Sequence, residues 1–227
     1  MQTQIFGFDT QKSFEYENGF YITSRPSRLA KSIAHYELYK KIVDLPGDVV
    51  ECGVFKGASL IRFATYREML ESQQSRKIWG FDAFGEFPKD VSMVEDAEFI
   101  KKFESDAGNG ISVDELNAVL DKKGFSNINL VKGNILETLP EFTNKNKSRK
   151  IAFLHIDVDV YEATYAILEM LYDNVVNGGV IVFDDYGTVQ GATNAIDNFF
   201  SENRGGAGRT MIQKLPFNYI PCYMVKS

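Results

Sequence analysis

The sequence predicts an α/β fold: a mostly parallel sheet of seven strands, helices on both faces, and a C-terminal antiparallel strand. Three observations carry that expectation. Short apolar runs alternate with amphipathic stretches of helical spacing, and such alternation implies right-handed βαβ crossovers and a parallel sheet. Five of these runs fall between residues 48 and 185 of a 227-residue chain, a length that suits one α/β domain with a generous core. Beyond them, two further apolar runs joined by Pro216-Phe217-Asn218 read as a hairpin-like ending that adds the antiparallel strand at one edge.

The elements follow in order. Residues 1–27 carry Phe6, Phe8, Phe14, Tyr16, Phe20 and Tyr21 with no steady period. This is expected to be an irregular arm, packed on the domain or on a second copy in a homodimer or higher homo-oligomer. From Arg28 to Asp44 the apolar residues fall near helical spacing, and Pro46-Gly47 stops the helix. DVVECGV (48–54) is the first strand, and Lys56-Gly57-Ala58-Ser59 opens a helix to about Gln74. KIWGFDAF (77–84) is the second strand. Residues 85–111 interrupt the rhythm, with Pro88, Gly108 and Gly110 bracketing an acidic helical stretch at 94–104. Ser112 with Glu115 forms a capping box for the next helix. NINLVKG (127–133) and IAFLHID (151–157) are strands three and four. A helix over 162–175, a turn at Asn177-Gly178-Gly179, strand five (179–185) and a helix over 188–203 come next. RTMIQKL (209–215) and YIPCYMVK (219–226) close the chain. No repeat, low-complexity tract or linker divides it, so residues 1–227 are expected to form one domain.

Composition narrows the function classes. Hydrophobic residues make up 44% and charged residues 25%, an ordinary globular balance. A net charge of −6 opposes a nucleic-acid groove, which needs a concentrated basic surface. No apolar run reaches the roughly 18 residues of a membrane span, and the polar start MQTQ does not read as a signal peptide. Cys52 and Cys222 are far apart and both lie in strand-like segments, which favours reduced core thiols and a cytoplasmic protein without membrane partners.

In open α/β sheets, ligands bind outside the carboxyl ends of the strands. Those ends are acidic here: Glu51 with Gly53, then Asp82, then Gly133-Asn134, then His155 with Asp157 and Asp159, then Asp184-Asp185. Burying charge is costly, so carboxylates crowded on one sheet edge mark a candidate site. The turn Glu51-Cys-Gly53-Val-Phe-Lys56-Gly57-Ala-Ser59 is not the G-x-G-x-x-G fingerprint of dinucleotide binders. An acid before the first glycine repels a pyrophosphate but suits the ammonium of an amino-acid tail. Asp82 stands where an acceptor for ribose hydroxyls is expected. Phe84 could lie against an adenine, and Gly133-Asn134 could bracket its edge; plain core or turn roles fit those residues equally. His155-Ile-Asp157-Val-Asp159 and Asp184-Asp185 bring two to four carboxylates to adjacent strand ends, and like charges that close need a cation. Oxygen-only ligands point to Mg²⁺ or Ca²⁺, which would lower the pKa of a substrate hydroxyl.

Taken together, ECGVFKGAS, GFDAFGEFP, HIDVDVYEAT and FDDYG resemble the macrocin O-methyltransferase (TylF/MycF-like) family of class I methyltransferases, over roughly residues 25–225. The resemblance implies a Rossmann-like fold and an S-adenosylmethionine-dependent O-methyltransferase that methylates a sugar hydroxyl in natural-product or polysaccharide biosynthesis. It implies that Glu51, Gly53, Lys56 and Ser59 hold the methionine part of the donor. Asp82 would hold its ribose, and Phe84, Gly133 and Asn134 its adenine. Asp157, Asp184 and Asp185 would bind Mg²⁺, with Asp157 as the base and His155 supporting it, and residues 85–111 would form a lid. A catechol-like acceptor uses the same metal logic. An NAD-dependent oxidoreductase lacks the glycine fingerprint here, and a non-catalytic assembly protein of this fold is the alternative from another class.

Overall fold

The computed structural model describes residues 4–88, 91, 93–203 and 212–227. The amino-terminal arm is not irregular. It holds two short antiparallel strands, β1 (Gln4–Ile5) and β2 (Phe8–Asp9), then a 3₁₀ turn and an 11-residue helix, α1 (Ser13–Thr23). All side chains of α1 are exposed or half-buried, because its apolar residues are scattered around the axis and form no stripe for a core to select. Helix α2 (Pro26–Tyr39) starts two residues before the expected boundary, with Pro26 at the first helical position, where a missing N–H costs nothing.

The alternating part then follows: β3 (Asp48–Cys52), α3 (Ala58–Leu70), β4 (Ile78–Asp82), α4 (Val94–Ala107), α5 (Val113–Lys122), β5 (Ile128–Lys132), α6 (Ile135–Lys145), β6 (Ile151–Ile156), α7 (Tyr161–Leu171), β7 (Val175–Phe183), α8 (Gln190–Asn203), β8 (Gln213–Lys214) and β9 (Cys222–Val225). The sheet has seven strands in the order β5-β4-β3-β6-β7-β9-β8. The first five are parallel, and β9 lies antiparallel to both β7 and β8. The expected strand over 209–215 is seen as Gln213–Lys214; its start, 209–211, lies outside the described residues. The capping box at α5 forms as the sequence predicts, Ser112 Oγ accepting from the Glu115 amide at 3.2 Å.

Helix α6 is an element the pattern did not announce. Asn134 caps it, and Ile135, Leu139 and Phe142 bury at helical spacing, while Pro140 in its interior disguises the segment.

Strand alternation divides the core in two. Val50, Cys52, Leu154, Ile156, Ile181 and Phe183 face α6, α7 and α8. Val49, Phe153, Val180 and Val182 face α2, α3 and α5. By the same period-two rule Glu51 and His155, paired in register across β3 and β6, point toward α2 and α3. Cys52 and Cys222 are free, buried thiols, and burial pushes both thiol pKa values up. No helix among the described residues is long and apolar enough to cross a membrane.

Candidate active site

A cavity of about 410 Å³ opens at the carboxyl edge of the sheet, within the size range of small-molecule sites. It straddles β3 and β6, where the strand order reverses and crossovers leave in opposite directions.

One wall is the turn after β3. Gly53 sits at φ +92°, and a Cβ there would meet the Asp157 carbonyl oxygen at 1.7 Å, so the two strand ends approach as closely as a bare backbone permits. Asp82 shapes this turn from the end of β4. Its Oδ2 accepts from the Val54 and Phe55 amides at 2.8 and 2.9 Å, and its Oδ1 from the Phe84 amide at 2.6 Å. A carboxylate has about four acceptor positions, so one remains for a cavity ligand. Gly57 is left-handed at φ +79°, with a built Cβ 2.8 Å from Leu116, so it serves helix packing as well as the turn. Ser59 follows in the first turn of α3 and lines the cavity.

The opposite wall is Gly133 and Asn134, the latter engaged by α6 through its cap on the Leu136 amide at 3.0 Å. Gly85 and residues 107–111 are tied to one another and to the turn. Lys56 donates to the Ala107 carbonyl at 2.6 Å, Gly110 N to Gly85 O at 3.0 Å, and Ile111 N to Phe55 O at 2.8 Å.

Gly53, Lys56, Ser59, Asp82, Gly133 and Asn134 are thus brought around one cavity, and Glu51, Phe84 and His155 are not. Phe84 is 3% exposed and packs in the core on the α3 side, turned there by a backbone at φ +51°. Glu51 is fully buried, its Oε1 3.1 Å from His155 Nδ1, because register and strand alternation aim both side chains behind the wall. A direct contact between Glu51 and a ligand's ammonium, expected from the sequence, therefore does not follow from this placement.

The acidic wall is gathered as the sequence predicts. Asp157, Asp159, Asp184 and Asp185 all line the cavity. Asp157, Asp184 and Asp185 each offer an oxygen within 4.8 Å of the others. Burial, then the charges of Asp184 and Asp185, raises the Asp157 carboxyl well above its usual range. Burial and Asp159 do the same to Asp185, and burial and Asp157 lift Asp159 to about 7. Asp159 also takes a left-handed backbone, φ +65°, and its amide donates to Asp185 Oδ2 at 3.2 Å.

Asp184 behaves in the opposite way. Burial alone would raise it, but His155, His35 and Lys31 outweigh burial and hold it well below the carboxylate range. Lys31 Nζ lies 2.5 Å from Asp184 Oδ2. Burial would lower the Lys31 pKa, yet Asp157 and Asp184 hold it raised. His155 is lifted to about 10, Asp184 and Glu51 overriding its burial, whereas burial drives His35 down to about 4.

Lys31, which lines the cavity, and His35, which faces Asp184, are the residues at the site that sequence reasoning missed. They stand four apart on one face of α2, and only the docking of that helix reveals their destination.

Three kinds of comparison agree with this architecture. The family model for macrocin-O-methyltransferase (TylF) matches residues 29–213. A Streptomyces olivaceus 8-demethyl-8-(2,3-dimethoxy-alpha-L-rhamnosyl)-tetracenomycin-C 4'-O-methyltransferase is 27% identical over 146 residues, 63% of this chain and 54% of that protein. The Mycinamicin III 3''-O-methyltransferase of Micromonospora griseorubida is 28% identical over 147 residues, 63% of this chain and 56% of that protein. The chain thus spans between 54% and 59% of the length of the curated relatives it matches. Among solved structures, a calicheamicin methyltransferase superposes with a TM-score of 0.76 at 27% identity, covering 94% of this chain and 85% of that one.

Proposed function

Since the chain belongs to the macrocin O-methyltransferase family, we propose that it transfers a methyl group from S-adenosylmethionine to a hydroxyl of a sugar or sugar-bearing small molecule, with Mg²⁺ held by Asp157, Asp184 and Asp185. The observation that carries the proposal is the meeting of three carboxylates within 4.8 Å on the wall of a cavity whose other walls are the Gly53 turn, Asp82 and Asn134. The tetracenomycin relative, whose own name specifies O-methylation of a rhamnosyl-bearing compound, supports the acceptor class.

The residues fit both groups. Asp157 and Asp185, raised by burial and then by neighbouring carboxylates, join Asp184 in an oxygen-only donor set that a hard divalent ion satisfies. The cavity volume suits a nucleoside-sized ligand, and Asp82 keeps one acceptor position for a ribose hydroxyl. When bound, the donor supplies a methyl group already electrophilic on a sulfonium, and Mg²⁺ supplies a Lewis acid for the acceptor oxygen.

The protein supplies the rest. Gly53 and Ser59 position the methionine part, Asp82 the ribose, and Gly133 with Asn134 the adenine. Lys56 fastens the Ala107 end of the expected lid beside the turn. Asp157, on the cavity wall beside Asp184, takes the proton from the acceptor hydroxyl. His155 acts from behind, its ring fixed between Glu51 and Asp184. The acidic wall also favours the donor's positive charge. Rate is thereby gained mainly from alignment and from a placed base.

The test is methyl transfer from labelled S-adenosylmethionine to a panel of glycosylated and catechol acceptors, with and without chelator. Labelled sugar in Mg²⁺ and none after chelation is expected. Undiminished transfer after exhaustive chelation removes the metal, and transfer confined to catechols removes the sugar.

A further inference from the structure

Behind the acidic wall lies a second cluster, made of nitrogen as well as oxygen. His35 Nε2, His155 Nε2 and Asp184 Oδ1 are buried and have no hydrogen-bond partner. His155 Nε2 is 3.6 Å and His35 Nε2 3.8 Å from Asp184 Oδ1, and each of the three residues offers a ligand atom within 4.8 Å of the others. Both histidines are fully buried and Asp184 is 4% exposed. Buried polar atoms left without partners are rare in folded proteins, and each calls for an explanation.

We propose that His35, His155 and Asp184 form a second cation site, for a divalent transition ion of the zinc or cobalt class, that shares only Asp184 with the oxygen-only set. Two imidazole nitrogens and one carboxylate oxygen are the donors such ions select, whereas Mg²⁺ prefers oxygen alone. Ligand bonds of about 2.0–2.2 Å in a tetrahedron separate donor atoms by roughly 3.4 Å, so separations of 3.6 and 3.8 Å need to close by a few tenths of an ångström.

The surroundings are those of a metal-binding histidine. Glu51 Oε1 lies 3.1 Å from His155 Nδ1, the carboxylate–imidazole pairing that turns the other ring nitrogen toward a metal. Asp184 divides its two oxygens, Oδ2 going to Lys31 and Oδ1 to the histidines. An ion here ties α2, which carries two residues of the cavity wall, Arg28 and Lys31, to β6 and the end of β7. Its role is to fix that wall. This inference rests on the geometry of the histidines and stands apart from the methyl-transfer reading.

The test is optical titration of the chelator-treated protein with Co²⁺ in a large excess of Mg²⁺, so that the oxygen set is occupied. One equivalent of Co²⁺ with visible ligand-field bands is expected. Asp157→Asn should keep those bands, His35→Phe should abolish them, and Glu51→Gln should weaken Co²⁺ affinity by about 10–100-fold. The Glu51→Gln and Asp157→Asn arms decide the matter even where His35→Phe does not fold. Absence of ligand-field bands in the parent protein overturns the proposal and leaves a water or a shared proton in that space. Bands lost in Asp157→Asn, or unweakened in Glu51→Gln, overturn it too, assigning the Co²⁺ elsewhere. None of these outcomes depends on whether methyl transfer occurs.

Discussion

Replacing Lys31 with methionine removes the cation that the fold places among the acids while keeping most of the stem. The ammonium contacts Asp184 Oδ2 at 2.5 Å, with the lysine side chain 20% exposed and the aspartate 6%. Deleting one partner of a buried ion pair costs about 3–5 kcal/mol, and the partial exposure of Lys31 argues for the lower end. In a chain of this size each kcal/mol moves Tm by roughly 2–4 °C, so Lys31→Met should melt about 6–12 °C below the parent in chelator. The deficit should widen between pH 6 and 8, because acidic solution lets the remaining carboxyls relieve repulsion by taking up protons. Mg²⁺ should then reverse most of the loss, since an ion that binds the folded acids at about a hundred times its Kd contributes about 2.7 kcal/mol. The variant should also bind Mg²⁺ more tightly than the parent, having lost an internal competitor. Scanning calorimetry of both proteins in chelator and in saturating Mg²⁺ measures all of this. A shift below about 2 °C in chelator, or a larger one that Mg²⁺ leaves untouched, refutes the idea that these acids form a cation-holding centre.

Three further outcomes are expected. Asp157→Asn should keep its circular dichroism and melt at least as high as the parent in chelator, since it removes a carboxyl raised by its neighbours, yet its turnover should fall by about 10²–10⁴-fold; near-normal turnover would show that another group takes the proton. Gly53→Ala should lose several kcal/mol in a urea melt, because φ +92° and a Cβ 1.7 Å from the Asp157 carbonyl leave no unstrained option; a loss under about 1 kcal/mol would mean that the β3–β6 junction yields easily. The His155 pKa is raised from 6.5 to about 10, so the stability it contributes is complete below pH 6.5 and is lost as pH rises to 10. Urea melts across that window should show the parent losing up to about 1.4 kcal/mol per pH unit relative to His155→Gln, and parallel profiles would contradict the Glu51–His155–Asp184 arrangement.

Much of this was legible in the sequence because parallel strands in a doubly wound sheet bury both faces and write themselves as apolar runs. The runs at 48–54, 77–84, 127–133 and 151–157 became β3, β4, β5 and β6, and the run at 179–185 became the second half of β7. The acids that end these strands were legible for a related reason: aspartates straight after a buried strand can lie only at its carboxyl edge. What escaped notice depended on long-range packing. Nothing in α2 alone shows that Lys31 and His35 reach Asp184, 153 and 149 residues away in sequence. Pro140 hid α6, and the unpatterned aromatics of the arm hid α1. Glu51 and Phe84 lie beside the cavity in sequence, but strand alternation and a left-handed turn send their side chains into the core.

The reading stands or falls on where positive guests settle at the sheet edge, and an anomalous difference map from a crystal grown with Mn²⁺ and S-adenosylhomocysteine reports that position directly. The account predicts a peak bounded by Asp157, Asp184 and Asp185, with the nucleoside lying between the Gly53 turn and Asn134. A map with no peak among those three carboxylates, or nucleoside density outside that cavity, would contradict it.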